Sequence, residues 1–232
     1  MIFTLSNTKT QKGEAHGWLT AVLHLAPHTE AGGRSVCPRS TPECRVDCLY
    51  SAGRGVFPGV IAARVRRTHE YLANPREYAW RLAEEIEKLR RKALRQDMKL
   101  AVRINGTSDL PSLTRQVREY VAGVQFYDYT KIMGAWARNP GVHYTFSRSE
   151  KNEEQCRAVL RDVRINVAVV FSTKKGQPLP RSYTVAGWGP VEVIDGDRHD
   201  LRFLDPQGVI VGLRAKGRAR SRDTHGFVVQ VE

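Results

Sequence analysis

The chain has 232 residues, of which 41% are hydrophobic, so it is long and apolar enough to bury a full core and is not a disordered tail. The sequence contains no run of about 18 apolar residues, so we expect no transmembrane helix. The N-terminal region shows no secretory signal. The net charge of +13 favours a polyanionic partner, nucleic acid or nucleotide above all. We therefore expect a cytoplasmic protein that has no membrane contact.

The first half of the chain predicts one strand, a loop and two helices. The apolar stretch "WLTAVLHLAP" (18–27) is typical of a strand, and a cysteine-containing loop follows it. Pro58 and Pro75 each suit the first position of a helix, and Asn74 suits the N-cap of the second. Apolar residues three or four apart in that second helix predict one buried face and one charged face.

From residue 100 onward, short apolar β-rich runs alternate with helical segments. Four of these runs, "KLAVRI", "VQFYDYT", "VHYTFS" and "NVAVVFS", end in polar clusters. Strands that alternate with helices predict βαβ units and a parallel sheet, and such sheets bind ligands at the carboxyl ends of their strands. The pattern predicts a single α/β domain over 1–232, built as a partial parallel (β/α)6 barrel.

The last part of the chain, 187–232, predicts a β-rich C-terminal extension of the same domain. "DPQG" suits a hairpin turn between Leu201–Leu204 and Val209–Leu213. The acidic segment "VIDGDRHDLRFLDP" (193–206) could form a hard-metal or acid/base site. It lacks the pattern of a calcium-binding loop, so a structural role is the favoured alternative.

Three of the four cysteines, Cys37, Cys44 and Cys48, lie within twelve positions with the spacing C-x6-C-x3-C. Three thiolates can bind three irons of a 4Fe–4S cluster and leave the fourth iron open. The alternatives are a zinc site completed by a histidine (His24, His28 or His69) or three buried free thiols. Cys156 lies at a core-like helix position, and we expect it to be packing only.

The cysteine loop, together with "VRINGTSD", "FYDYTK" and "YTFSRSE" at successive strand ends, resembles the gene product 88 family of bacteriophage and plasmid proteins. The similarity covers most of the chain. It implies that the protein acts inside a bacterial host cell, in a phage or plasmid context.

A more distant likeness in topology is to radical S-adenosylmethionine enzymes, which carry three cluster cysteines after the first strand of a partial barrel. The spacing here departs from the C-x3-C-x2-C of that superfamily, and Asp47, not an aromatic residue, precedes the third cysteine. The likeness implies a 4Fe–4S cluster on Cys37, Cys44 and Cys48, and S-adenosylmethionine as a candidate cofactor. It further implies that cofactor or substrate contacts come from residues at the strand ends, namely Gly106, Thr107, Ser108, Asp109, Asp128, Lys131, Ser147, Arg148 and Glu150.

Two hypotheses for function follow. The first is an iron–sulfur enzyme of radical-SAM-like architecture that acts on a nucleotide or nucleic acid. The second is a non-catalytic nucleic-acid-binding protein, stabilised by an iron–sulfur cluster or zinc, that serves phage or plasmid replication. Under both, basic residues on the helices of 58–96 and in "RAKGRARSR" should form a polyanion-binding face. The residues predicted for that face in the second stretch are Arg214, Lys216, Arg218 and Arg220.

Overall fold

The computed structural model describes residues 2–5, 8–220 and 225–231, with the backbone alone for 8–10. Within these residues the chain forms one eight-stranded sheet in the order β1-β2-β3-β4-β5-β8-β7-β6. The strands are β1 Trp18–Val22, β2 Lys99–Arg103, β3 Gln125–Thr130, β4 Val142–Ser147, β5 Val167–Phe171, β6 Ser182–Val185, β7 Trp188–Asp195 and β8 Ile210–Arg214. The helices are α1 Thr8–Glu14, α2 Pro42–Val46, α3 Pro58–Ala73, α4 Pro75–Arg95, α5 Pro111–Arg118, α6 Ala135–Arg138 and α7 Glu153–Ala158.

The sheet is mostly parallel, as the alternation of β-rich and helical segments predicts. Every neighbouring pair from β1 to β7 in the sheet order is parallel, and only β6 runs antiparallel, to β7. The sheet is open, because β1 and β6 stand at its two edges and do not pair with each other. The six-strand barrel is therefore not confirmed, and the fold is a mixed α/β fold with an eight-stranded sheet.

The predicted "DPQG" hairpin is wrong. Residues Arg202–Leu204 form a short 3₁₀ turn, and β8 pairs in parallel with β5 and β7, so it cannot fold back on the segment before it. Leu201 is buried against Tyr127, which removes this segment from strand pairing. A hairpin does occur earlier, between β6 and β7, where Ala186 and Gly187 both adopt positive φ as tight two-residue turns require.

The two faces of the sheet have different covers. Val102 and Phe126 lie in the main core with the apolar face of α4, whereas their neighbours Ala101 and Tyr127 pack with Leu201 on the other face. This split follows from the alternation of side chains along a strand. Helices therefore cover one face, and the segment around 201–203 covers part of the other.

The two long helices begin where the sequence predicts. Pro58 and Pro75 occupy the first positions of α3 and α4, and the Asn74 side chain accepts a hydrogen bond from the backbone N–H of Glu77. No helix in the described part of the chain is both long and apolar enough to cross a membrane.

Candidate functional site

A cavity of about 310 Å³ opens at the carboxyl ends of the parallel strands. Cys37, Cys44 and Cys48 line it together with the loop that follows β2 and with Lys131, which follows β3. Parallel strands bring their carboxyl ends to one edge of the sheet, so polar groups far apart in sequence meet here. The structure thus brings the three clustered thiols and the loop 106–109 around one space.

Hydrogen bonds to neighbouring segments hold the cysteine loop. The Thr41 hydroxyl accepts from the backbone N–H of Cys44 at 3.3 Å and caps α2, and it donates to the Glu150 carboxylate at 2.9 Å. The Cys37 sulfur accepts from the backbone N–H of His28 at 3.3 Å. The positions of Cys37 and Cys44 are therefore fixed by partners outside α2.

The environment of Cys37 and Cys48 disfavours ionisation of their thiols. Burial raises the pKa of Cys37 to about 12 and also raises the pKa of Cys48. The thiols influence one another, since negative charge on Cys48 or Cys44 further raises the pKa of Cys37. Metal binding here must displace the protons of Cys37 and Cys48, which couples metal affinity to pH.

No group of three or more His, Cys, Asp or Glu side chains in the described residues is arranged to hold a single metal ion. The rings of two histidines considered as zinc ligands have other partners. His28 interacts with Thr29 and Glu30, and the His69 ring contacts the carbonyl oxygen of Ala31 at 2.7 Å. For the third, His24, burial lowers the pKa to about 3, so its ring is neutral at physiological pH.

The loop after β2 packs against the cysteine loop. A Cβ on Gly106 would lie 2.6 Å from the carbonyl oxygen of Leu23, so only glycine lets the loop pass the end of β1. The Thr107 hydroxyl donates to the Leu25 carbonyl at 2.5 Å, and the Asp109 backbone N–H donates to the Val36 carbonyl. The close approach that Gly106 permits is thus to the chain itself.

The side chains of Asp109 and Ser108 form hydrogen bonds that stabilise the loop after β2. The Asp109 carboxylate accepts from the Thr130 hydroxyl at 2.7 Å and from the backbone N–H of Lys131 at 2.8 Å, which ties the loop to the end of β3. The Ser108 hydroxyl donates to the Asn105 side-chain oxygen. The side chains of Asp109 and Ser108 therefore fix the shape of the cavity wall.

Asp128 lies on the helix-covered face of the sheet and does not line the cavity. Its carboxylate accepts from the backbone and side-chain N–H groups of Asn105 and from the Thr114 hydroxyl, at 2.8–2.9 Å. Burial raises the pKa of Asp128 to about 6, although these donors favour the ionised form. Asp128 positions Asn105 and, through it, the loop 106–110.

Lys131 lies beside the thiols. Burial opposes its charge, but the Cys44 sulfur and the Asp109 carboxylate outweigh burial and raise the pKa of the ammonium group. Lys131 therefore places a positive charge at the wall of the cavity, next to the cysteine loop.

The last residue of β4 lines the cavity, and two residues after the strand act as anchors around it. Ser147 lines the cavity. Arg148 instead forms an ion pair with Glu153 and donates to the carbonyl oxygens of Gly226 and Phe227, and Glu150 holds Thr41. The side chains of Arg148 and Glu150 therefore serve as anchors around the cavity.

Several residues that line the cavity were not predicted as site residues, Arg103 and Tyr129 among them. The Arg103 guanidinium stacks over the Tyr129 ring, 4.3 Å from its centroid, and pairs with Asp200 at 3.3 Å. Among the described residues its buried Nε has no hydrogen-bond partner, and the residue lines the cavity. Position at the carboxyl end of a strand was the only signal for Arg103, because its partner Asp200 is 97 residues away in sequence.

The basic residues of the C-terminal region differ in their surroundings. Arg214 forms ion pairs with Asp195 and Asp197, and Lys216 pairs with Asp197. Arg218 and Arg220 are exposed. Arg222, also part of the predicted basic stretch, lies outside the described residues.

Comparison with known proteins identifies the family. The family model described as "Gene product 88" matches residues 1–230. No curated protein and no solved structure matches the chain. Since the match spans nearly every residue, the chain belongs to the gene product 88 family.

Proposed function

We propose that the protein is an iron–sulfur enzyme that binds its substrate in the cavity at the carboxyl edge of the sheet. The observation that carries this proposal is that Cys37, Cys44 and Cys48 line the same cavity as the loop 106–109. A purely structural centre does not need a cavity beside it, whereas a centre that takes part in chemistry does. When bound, such a cluster supplies an open iron and electron transfer.

The donor set fits an iron–sulfur cluster better than zinc. A four-iron cluster takes each thiolate on a different iron, so its ligand sulfur atoms lie farther apart than the ligands of one zinc ion. The three thiols share one cavity, and their C-x6-C-x3-C spacing departs from the paired C-x2-4-C spacing that is usual for zinc, which favours the cluster. The ring contacts of His28 and His69 also leave these residues poorly placed as a fourth zinc ligand.

The remaining lining residues suggest the class of ligand. Val170, Leu213 and Phe227 give the cavity an apolar wall, and Arg103 offers a buried donor. A nucleotide or a nucleoside-containing cofactor has both a planar, weakly polar base and groups that accept hydrogen bonds. We propose S-adenosylmethionine as the cofactor and a nucleotide or nucleic acid as the substrate.

The test is metal content after anaerobic purification, for wild type and four single alanine variants. We expect about four irons per chain in wild type. Cys37→Ala, Cys44→Ala and Cys48→Ala should lose the metal, and Cys156→Ala, whose side chain is fully buried in a separate core, should keep it. A colourless protein with one zinc per chain, or a Cys44→Ala variant with full iron content, would contradict the proposal.

A second candidate is a metal-stabilised nucleic-acid-binding protein that carries out no reaction. The observation that favours it is the position of exposed Arg218, whose backbone N–H donates to the Ser51 hydroxyl of the cysteine loop at 3.3 Å. A basic surface therefore adjoins the loop that holds the thiols. Equilibrium dialysis with S-adenosylmethionine distinguishes the two, because only the enzyme needs to bind this small molecule.

A further inference from the structure

The cysteine loop and the turn after it carry a cluster of exposed apolar side chains. Of the eleven large apolar residues that are exposed in the described part of the chain, four lie within 46–57, namely Val46, Leu49, Val56 and Phe57. Single exposed apolar residues are common on protein surfaces, but a cluster of them marks a surface that meets a partner. Phe57 is the most exposed of the four, at 56%.

The exposed charged residues of the same region are all cations. In 39–57 and 216–220 these residues are Arg39, Arg45, Arg54, Lys216, Arg218 and Arg220. Of the two acidic residues in these stretches, Glu43 is partly buried and Asp47 is buried. We call the exposed residues of 39–57 and 216–220 the rim surface. Its charge is complementary to that of a polyanion.

Two segments of the chain form the rim surface together. The turn of Gly53–Val56 places Arg54 next to Phe57, whose backbone N–H donates to the Arg54 carbonyl oxygen at 3.2 Å. Arg218 comes from the other segment, and its backbone N–H donates to the Ser51 hydroxyl at 3.3 Å. Cations from both segments therefore lie beside the apolar cluster.

The rim surface borders the cavity at the carboxyl edge of the sheet. Leu49 is 54% exposed and also lines the cavity, and Lys216 lines it as well. A strand bound on the rim surface can thus present a nucleotide to the cavity. In a duplex a base is paired and stacked and has to be extruded before it enters such a site, whereas a base in a single strand is already accessible.

We propose that the rim surface binds single-stranded nucleic acid, with a base stacked on Phe57 and phosphates neutralised by Arg54 and Arg218. Proteins that bind single strands combine cations that follow the backbone with aromatic rings on which bases stack. A duplex covers its base faces, so it offers Phe57 nothing to stack on. The step from the rim surface to the cavity rests on the proposed function, since it takes the bound strand as the substrate, but the binding itself does not.

Fluorescence anisotropy tests the proposal with labelled oligothymidine and oligouridine, each about twelve nucleotides long, and with a DNA duplex of the same length. Wild type should bind the single strands at least about tenfold more tightly than the duplex. Phe57→Ala should weaken single-strand binding about fivefold or more and leave its salt dependence unchanged, because it removes stacking alone. Phe57→Trp, which keeps an aromatic ring, should bind within about threefold of wild type.

Two further variants separate the charge contribution from the stacking contribution. Arg54→Gln should reduce the slope of log affinity against log salt by about 0.7, the contribution of one phosphate contact on a single strand. Tyr120→Ala is the matched control, because Tyr120 is 53% exposed but lies between α5 and β3, at the opposite edge of the sheet from the cavity. It should leave both affinity and slope unchanged.

Unchanged single-strand binding in Phe57→Ala, an unchanged slope in Arg54→Gln, or equal affinity of wild type for single strands and duplex overturns the proposal. If sedimentation shows that Phe57→Ala dissociates a wild-type oligomer while binding is unchanged, the rim surface is an interface between copies of this chain, and the proposal is wrong. Iron analysis separates this result from the proposed function. An iron-loaded wild type that binds no single strand refutes the rim surface alone, and single-strand binding by a protein that never takes up iron supports the rim surface and refutes the iron–sulfur enzyme.

Discussion

The Glu150 carboxylate, which follows β4, accepts a 2.9 Å hydrogen bond from Thr41, the residue that caps the helix carrying Cys44. These two residues are 109 positions apart in sequence. Their contact joins the cysteine loop to the far side of the cavity, so the position of Cys44 depends on the end of β4 as well as on its own loop.

Thr41→Val should therefore loosen the cysteine loop. Valine keeps the shape but loses both the cap on the Cys44 N–H and the bond to Glu150, so we expect a loss of about 1 kcal/mol in unfolding free energy. Urea unfolding measures the stability, and iron content after reconstitution measures the effect on the site. Glu150→Gln keeps an oxygen that can accept the hydrogen bond from Thr41, so it should lower the unfolding free energy less than Thr41→Val does. Equal losses in the two variants would argue against the role of this contact.

Asp128 should make stability depend on pH. Its folded-state pKa of about 6 lies above the unfolded value, so the folded protein binds this proton more tightly. Its contribution is fully present below about pH 4 and is lost as pH rises through about 6, by about 3 kcal/mol.

Asp128→Asn isolates this contribution, because asparagine does not ionise. It also presents an amide where the Asn105 side chain donates, so it should be less stable than wild type at pH 4. Urea unfolding at pH 4 and pH 7 should show the difference between the two proteins shrinking as pH rises. A constant difference would mean that Asp128 ionises normally in the folded state.

The sequence predicts the strand ends well because the signals are local. The apolar β-rich runs before Asn105, Lys131 and Arg148 are short and end in polar residues, and the parallel sheet then brings those ends to one edge. The sheet order of the last strands is a different matter. The insertion of β8 between β5 and β7 depends on packing between segments that are far apart in sequence. Local sequence patterns therefore do not predict it.

The same limit applies to individual side chains. The basic sequence around Arg64 predicts a polyanion-binding face, and Arg148 is predicted to contact a ligand. In the structure Arg64 is buried behind the cysteine loop, and Arg148 pairs with Glu153. The sequence predicts that Gly106 allows a close backbone approach. It does not predict that the neighbouring group is the backbone of Leu23. Residue type thus indicates what a position can do, and tertiary contacts decide which partner it meets.

Gly106→Ala should destabilise the protein because the new methyl group meets backbone. The Cβ would lie 2.6 Å from the Leu23 carbonyl oxygen, which cannot move without disturbing the end of β1, so we expect a loss of about 1–3 kcal/mol. Thermal unfolding measures it. Gly59→Ala is the control, since its Cβ meets nothing within 4 Å and α3 should tolerate or favour alanine there. Equal effects at the two sites would rule out the steric explanation.

The last prediction concerns the basic residues near the cavity. Arg218 and Arg220 are exposed, whereas Arg214 donates to Asp195 and Asp197, so only the first two are free to neutralise phosphates. The double variant Arg218→Gln/Arg220→Gln should bind double-stranded DNA more weakly. It should also reduce the slope of log affinity against log salt by about 2, because each phosphate contact contributes about 0.9. Fluorescence anisotropy across a salt series measures both quantities.

Arg214→Gln provides the contrast for this experiment. It breaks two ion pairs, so it should lower the unfolding free energy by about 1–2 kcal/mol while leaving the salt slope near the wild-type value. The double variant should behave in the opposite way, with unchanged stability, since exposed arginines contribute little to folding. If wild type binds neither DNA nor RNA at low salt, the basic surface serves only solubility, and nucleic acid is not the partner.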